Sequence, residues 1–342
     1  MRELVVVVVL VASSAWARPL PKGLAISFKD QTLYAARDGM VVKVFDDDVA
    51  VREEIDGLTS AELSADGTLV VLHVDKACAG ASVTNVRLAS IDARFENVRG
   101  MQQLAKNKHD DAITHFNAAV TADDADLFVT NLLSAQALGK QFDDADRTIA
   151  RYAPKRRAWF AWRLAVDPDL AALRGRASAK SYVTAPSKLA SSAFDGDAVA
   201  VSPLGLVAMH EDNITGIPTP DTDFALAIYT PGAFEEPLRI TAVPSNTRPV
   251  DRALAAMGFE KRAVTWVESS NVATSPDKTT SVTFDDSGAT VKRGKTSVHV
   301  ANYDSVRRVG FAGDLVIIQT YEHLSQCSGD IQQFFAKIVQ LK

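Results

Sequence analysis

One pattern recurs in this chain at a spacing of 33 residues, and it limits the fold more than any other feature. His109-Asp110-Asp111-Ala112 stands over Phe142-Asp143-Asp144-Ala145, Phe116 over Ile149, and Val120 over Ala153. In the first copy the apolar-compatible positions are 109, 112, 113, 116, 119 and 120; in the second they are 142, 145, 149, 152 and 153. Each set draws one stripe along an amphipathic helix. A fixed period in this range marks a solenoid of helical hairpins, whose units bury their faces only by stacking on neighbours.

The helical stretch, residues 92–180, lies between two stretches of different character. Residues 20–91 hold short alternating runs such as "LAISF", "TLYAAR", "MVVKVF" and "TLVVLHV", separated by turn cues at Arg37-Asp38-Gly39 and Ala65-Asp66-Gly67. Residues 181–342 return to such runs, from "AVAVSP" through "FALAIYT" and "DLVIIQTY" to "FFAKIVQL", with one helical piece, "PVDRALAAMGF". Period-two alternation with this punctuation predicts strands and hairpins. "ADGTLVVLHVDKAC" at 65–78 and "FAGDLVIIQTYEHLSQC" at 311–327 share a phrase and read as two related hairpin units. The expected class is α+β: a β-rich domain, propeller-like or sandwich-like, interrupted by the helical module as an insertion and therefore discontinuous. The runner-up is two separate β domains with the repeats between them.

The run from Gly100 to Val120, "GMQQLAKNKHDDAITHFNAAV", resembles a tetratricopeptide repeat. Gly100 matches the small residue of the first helix, Ala112 the small residue at the close helix contact, and Phe116 and Ala119 the large and small positions that follow. The second copy keeps Phe142, Ala145 and Ile149 but has Leu133 in place of the glycine and Tyr152 in place of the later small residue. Asp124 and Arg157 stand where that family closes with proline. A third partial unit, with Trp159, Phe160, Trp162 and Leu164, ends in "DPDLAALR", similar to a closing segment. The resemblance implies a concave face lined by first helices that binds a protein or peptide partner. Here that face would include Asn97, Met101, Thr130, Asn131 and Ser134. With two to three units, the alternative use is packing against the β part.

The N-terminus reads as an export leader. "MRELVVVVVLVASSAWARPL" has Arg2, an apolar run from Leu4 to Ala12 and the A-x-A pattern Ala15-Trp16-Ala17, which predicts cleavage after Ala17. That run is too short for a permanent membrane span. The expected protein is soluble and periplasmic or extracellular. An oxidising compartment permits a disulfide between Cys78 and Cys327, the two cysteines of the chain. The net charge of −5 favours neither nucleic acid nor an anionic membrane as partner.

Several clusters invite a chemical reading. "KHDDAITHF" at 108–116 gathers His109, Asp110, Asp111 and His115, all common metal ligands. The 33-residue shift replaces His109 with Phe142 and His115 with Thr148 while Asp-Asp-Ala persists. Acids in a first helical turn oppose the helix dipole, worth roughly 0.3–1 kcal/mol each at exposed sites, so the cluster reads as a packed helix start. His73, Cys78, His323 and Cys327 make a zinc site conceivable, with a disulfide as the simpler outcome. "VFDDDVA" at 44–50 and "TFDDSGATV" at 283–291 read as acidic hairpin tips rather than calcium loops, and "LVAMHED" at 206–212 as a strand end. Asn213-Ile214-Thr215 fits a glycosylation acceptor. The sequence has no G-x-S-x-G, H-E-x-x-H, P-loop or G-x-G-x-x-G pattern, and no catalytic residue, metal or cofactor is assigned from it. The expected function is an exported, non-catalytic protein-binding or scaffold role for a short helical-repeat module on a β-rich platform. The alternative is an exported β-rich enzyme, a hydrolase for example, in which the repeats are purely structural.

Overall fold

The alternating runs become antiparallel strands in the computed structural model, which describes residues 18–29, 32–44, 57–78, 81–189, 199–211, 224–232, 237–242, 248–268, 271–301, 305–325 and 331–341. Strands β1 (Ala25–Lys29), β2 (Thr32–Arg37) and β3 (Met40–Lys43) form one meander. Strands β4 (Leu58–Leu63), β5 (Leu69–Cys78) and β6 (Ala81–Arg87) form a second. Arg37 pairs with Met40 across a two-residue turn in which Asp38 and Gly39 both take positive φ, 52° and 77°. That backbone matches the twist of the flanking strands and explains the Asp-Gly cue.

Seven α-helices and one 3-10 helix are present among the described residues. Six of the α-helices and the 3-10 helix follow β6: α1 (Leu88–Leu104), α2 (His109–Ala122), α3 (Asp126–Leu138), α4 (Phe142–Tyr152), α5 (Arg157–Val166), the 3-10 segment Pro168–Leu173 and α6 (Ala177–Lys180).

A five-stranded sheet comes next, ordered β10-β9-β8-β7-β11, from β7 (Val199–Val201), β8 (Val207–Glu211), β9 (Phe224–Tyr229), β10 (Leu238–Ala242) and β11 (Glu260–Arg262). Helix α7 (Arg248–Ala256) precedes β11. Strand β12 (Thr265–Glu268) then waits for partners that arrive later. Between come β13 (Val272–Thr274), β14 (Thr280–Asp285), β15 (Gly288–Arg293) and β16 (Thr296–Ala301), a meander of their own. Finally β17 (Ser305–Ala312), β18 (Leu315–Ser325) and β19 (Ile331–Gln340) join β12 in the order β12-β17-β18-β19. The protein is thus mixed α+β, with five antiparallel sheets among the described residues and no closed barrel.

The repeated phrase has a structural counterpart. Each copy enters the middle strand of a three-strand meander, β5 in one case and β18 in the other. Their burial differs. In residues 69–74 of β5 the buried positions alternate: Val70, Leu72 and Val74. In β18 every residue from Leu315 to Thr320 is buried, because sheets cover both faces. Val316 and Ile318 face a core shared with β13–β16, whereas Leu315 and Ile317 face one shared with Val207, Met209 and Ala227 of the five-stranded sheet. The other face of that sheet, with Ala208, Leu226 and Ile228, packs on Ala158 and Ala161 of α5 and Leu254 of α7. The C-terminal layers therefore run β13–β16, then β12 with β17–β19, then β7–β11, then helix. At the other end Ile91 and Phe95 of α1 enter the core of β1–β6.

Three sheets open with one turn. Ser64 N–H donates to Leu69 O, Gly67 N–H to Ser64 O, and Leu69 N–H to the Ser64 hydroxyl oxygen at 3.0 Å. Ser275 repeats all three bonds with Thr280 and Lys278, and Ser202 repeats them with Leu206 and Gly205. The third residue after each serine has positive φ: 76° at Gly67, 59° at Lys278 and 75° at Gly205. Asp66 and Asp277 add a second layer to two of these turns, each accepting from the serine hydroxyl and from the N–H and hydroxyl of the following threonine.

Candidate functional site in the helical module

Backbone geometry carries the 33-residue period. At the end of α1 Asn107 N–H donates to Leu104 O and Lys108 N–H to Gln103 O. At the end of α3 Lys140 N–H donates to Ala137 O and Gln141 N–H to Gln136 O. Each pair of bonds is a Schellman closure, which needs a left-handed residue; Asn107 has φ 57° and Lys140 φ 59°. Helices α1–α2 and α3–α4 are therefore two hairpins closed in the same way. Ala112 and Ala145 are both fully buried, and His109 of the first hairpin lies against Gly139 of the second.

The metal-like cluster separates into individual contacts. The Asp110 carboxylate accepts from Gln141 Nε2 at 2.6 Å, tying the two hairpins together. His115 Nδ1 meets Glu96 Oε2 at 2.8 Å, and Arg99 holds the other Glu96 oxygen. Burial works to raise the Glu96 pKa, but the contacts with His115 and Arg99 outweigh it and hold the carboxyl below its usual value. Among the described residues no three His, Cys, Asp or Glu side chains converge as a metal site.

The residues expected on the concave face have mixed fates. Met101 is 46% exposed. Asn131 is half-buried and donates from Nδ2 to Asn97 Oδ1 at 2.7 Å, joining α3 to α1. Asn97, Thr130 and Ser134 are buried, at 9%, 3% and 5% exposure, so their side chains present no open surface. The Thr130 hydroxyl is spent on the Asp126 carbonyl, at 2.9 Å. From Phe128 to Ala137 only Asn131 escapes full burial. The covering comes from the chain itself. Pro168–Leu173 packs against α3 and α5, and Leu170 and Leu173, both 0% exposed, enter the same core. One signal for this lay in the α3 sequence, "DLFVTNLLSAQAL", which is apolar around most of its circumference and so marks a buried helix.

Ion pairs pin the module's ends. Arg37 pairs with Asp92 at 2.7 Å and lies over the Phe95 ring, 4.9 Å from its centre, which docks α1 on the β2–β3 hairpin. Arg156 Nε meets Asp126 Oδ1 at 2.5 Å, and its Nη2 reaches Asp124 Oδ1 at 3.2 Å, joining the starts of α3 and α5. Arg176 clasps Asp146 and stacks over Phe142, which holds α6 to α4.

The remaining sequence candidates are scattered. His73 Nε2 meets Glu62 Oε1 at 2.8 Å across β4 and β5. Cys78 pairs through its backbone with Ala81 in the β5–β6 hairpin, while Cys327 lies outside the described residues, as do residues 45–50 of "VFDDDVA" and Asn213-Ile214-Thr215. "TFDDSGATV" forms the β14–β15 hairpin, where Asp285 accepts from the Ser287 N–H at 2.8 Å. His210 and His323 lie in β8 and β18. No described helix is long and apolar enough to cross a membrane. Compared with models of protein families, with curated proteins and with solved structures, the chain matches none.

Proposed function

We propose that this is an exported, non-catalytic scaffold protein whose tetratricopeptide-like module joins two strand-rich parts and sets the platform on which a protein or peptide partner is bound. One observation carries the reading. Helix α1 gives Ile91 and Phe95 to the core of β1–β6, while α5 gives Ala158 and Ala161 to the core of the five-stranded sheet. A module that shares its side chains with both neighbours transmits position between them. The cover of Pro168–Leu173 over α3 favours this use over a peptide groove along that helix. Export rests on the leader sequence.

A propeller-like assembly belongs to the same proposal. Its support is the recurrence of the serine-closed turn in three sheets and the face-to-face stacking of the C-terminal ones. A Cys78–Cys327 bridge is its proposed clasp; intact mass should rise by about two hydrogens on reduction, and an unchanged mass removes the clasp.

The functional test is crosslinking capture from the host envelope with the full chain and with a full-chain Met101→Glu variant. A partner retained by the parent and lost by the variant assigns recognition to the α1 face. A partner retained by both assigns it to the β platform. Hydrolysis of envelope polymers by the purified chain, abolished by no change in the helices, would favour the enzyme reading instead.

A further inference from the structure

The residue after the expected leader cut is already built into a sheet. Arg18 and Leu63 exchange both backbone bonds: Arg18 N–H donates to Leu63 O at 3.1 Å, and Leu63 N–H to Arg18 O at 2.8 Å. Strand β4 is the edge of its sheet, so this bridge covers groups that would otherwise face solvent at the sheet's rim. Two further observations make Arg18 a built position. Leu24 is buried in the core of β1–β6, and Leu20, half-buried, packs against it. The guanidinium of Arg18 lies over the β4–β5 turn, with Nη1 3.9 Å from where a Gly67 β-carbon would stand.

We propose that the Arg18–Leu63 bridge is a maturation latch, closed in its final form by removal of the leader. The proposal rests on the export reading above. The step is hydrolysis of the Ala17–Arg18 peptide bond by a leader peptidase of the host. Water adds across the C–N bond, the carboxylate departs on Ala17, and the amine stays on Arg18 and takes a proton. The donor to Leu63 O then changes from a neutral amide N–H to an ammonium. A charge-assisted bond of this kind is roughly twice as strong as the neutral one.

The experiment has two arms on the full chain. First, the N-terminus of protein recovered from an exporting host is sequenced; Arg18 is expected, a retained leader overturns both the export reading and the latch, and a cut at another residue overturns the latch while leaving export standing. Second, chains beginning at Arg18 and at Ala17 are compared by hydrogen exchange at neutral pH. Leu63 N–H has Arg18 O as its acceptor, so its protection reports the bridge. Protection about fivefold higher in the chain that begins at Arg18 is expected from a charge-assisted donor. Equal protection, or greater protection with Ala17 retained, overturns the latch while leaving export standing.

Discussion

Gly100 of α1 and Phe116 of α2 touch so closely that a β-carbon on Gly100 would stand 2.5 Å from Cε1 and 2.6 Å from Cδ1 of the ring. Phe116 is 0% exposed, so its ring has no free space to enter. Gly100→Ala gains about 1 kcal/mol of helix propensity. Overpacking costs about 1–3 kcal/mol, so the net change should be a loss. Urea denaturation should show a lower midpoint for Gly100→Ala, and adding Phe116→Leu should recover part of it. A rise in midpoint for the single variant would show that the helices separate freely.

Lys140 and Asn107 occupy the same left-handed position in successive hairpins, with φ 59° and 57°. A β-carbon is disfavoured there, and asparagine tolerates it better than lysine. Lys140→Gly should stabilise the protein by about 0.5–1 kcal/mol, and Asn107→Gly by less. Thermal midpoints of the two variants check the ranking.

The serine-closed turn makes a statement about acid. The Ser64 hydroxyl, then the backbone and hydroxyl of Thr68, hold the Asp66 carboxyl down from 3.8 to about 2. A depressed folded pKa stabilises above the unfolded value, and that contribution is lost as pH falls through the folded one. Carboxyl NMR should place the Asp66 midpoint near 2, and Ser64→Ala should raise it. Asp277, held down first by Ser275 and then by Thr279, should likewise titrate below the ordinary carboxylate range, and Ser275→Ala should raise it. Replacing Asp66 with Asn should flatten the stability loss between the ordinary value, 3.8, and about 2.

Leu170 anchors the segment that covers α3 and is 0% exposed. Leu170→Ala removes most of a buried side chain and should cost about 2–5 kcal/mol. If the segment is a cover, amides of residues 169–173 should also exchange faster than those of α4 in this variant. Uniform acceleration across the module would mean that the segment is part of one indivisible core.

Local pattern made the helices legible. The Asp-Asp-Ala pairs, the alanines at 112 and 145 and the three-four spacing all act within one hairpin, and the structure has helices at those positions. The strand runs were equally readable, because alternation and Asp-Gly turns are local. Two things were not. Strand β12 pairs with β17 only after an intervening meander of four strands, and nothing in the local sequence encodes that jump. Helix α3 also packs against Pro168–Leu173, more than 29 positions downstream, and Thr130 and Ser134 are buried although they read as surface when considered within their own repeat. The recurrence of the serine turn is hidden for a different reason: the turn at Ser202 is one residue shorter and lacks the aspartate and threonine that make the other two alike.

The most direct test of the scaffold account is native-state hydrogen exchange on the full chain carrying Leu133→Ala in the middle of α3. Leu133 is 1% exposed in the helical core and distant in sequence from both strand-rich parts. The substitution should cost about 2–5 kcal/mol. If the module couples its neighbours, Leu72 of β5 and Ile228 of β9 should both exchange faster by the same factor, about 30-fold or more. Acceleration confined to the helices, with Leu72 and Ile228 unchanged, would contradict the account.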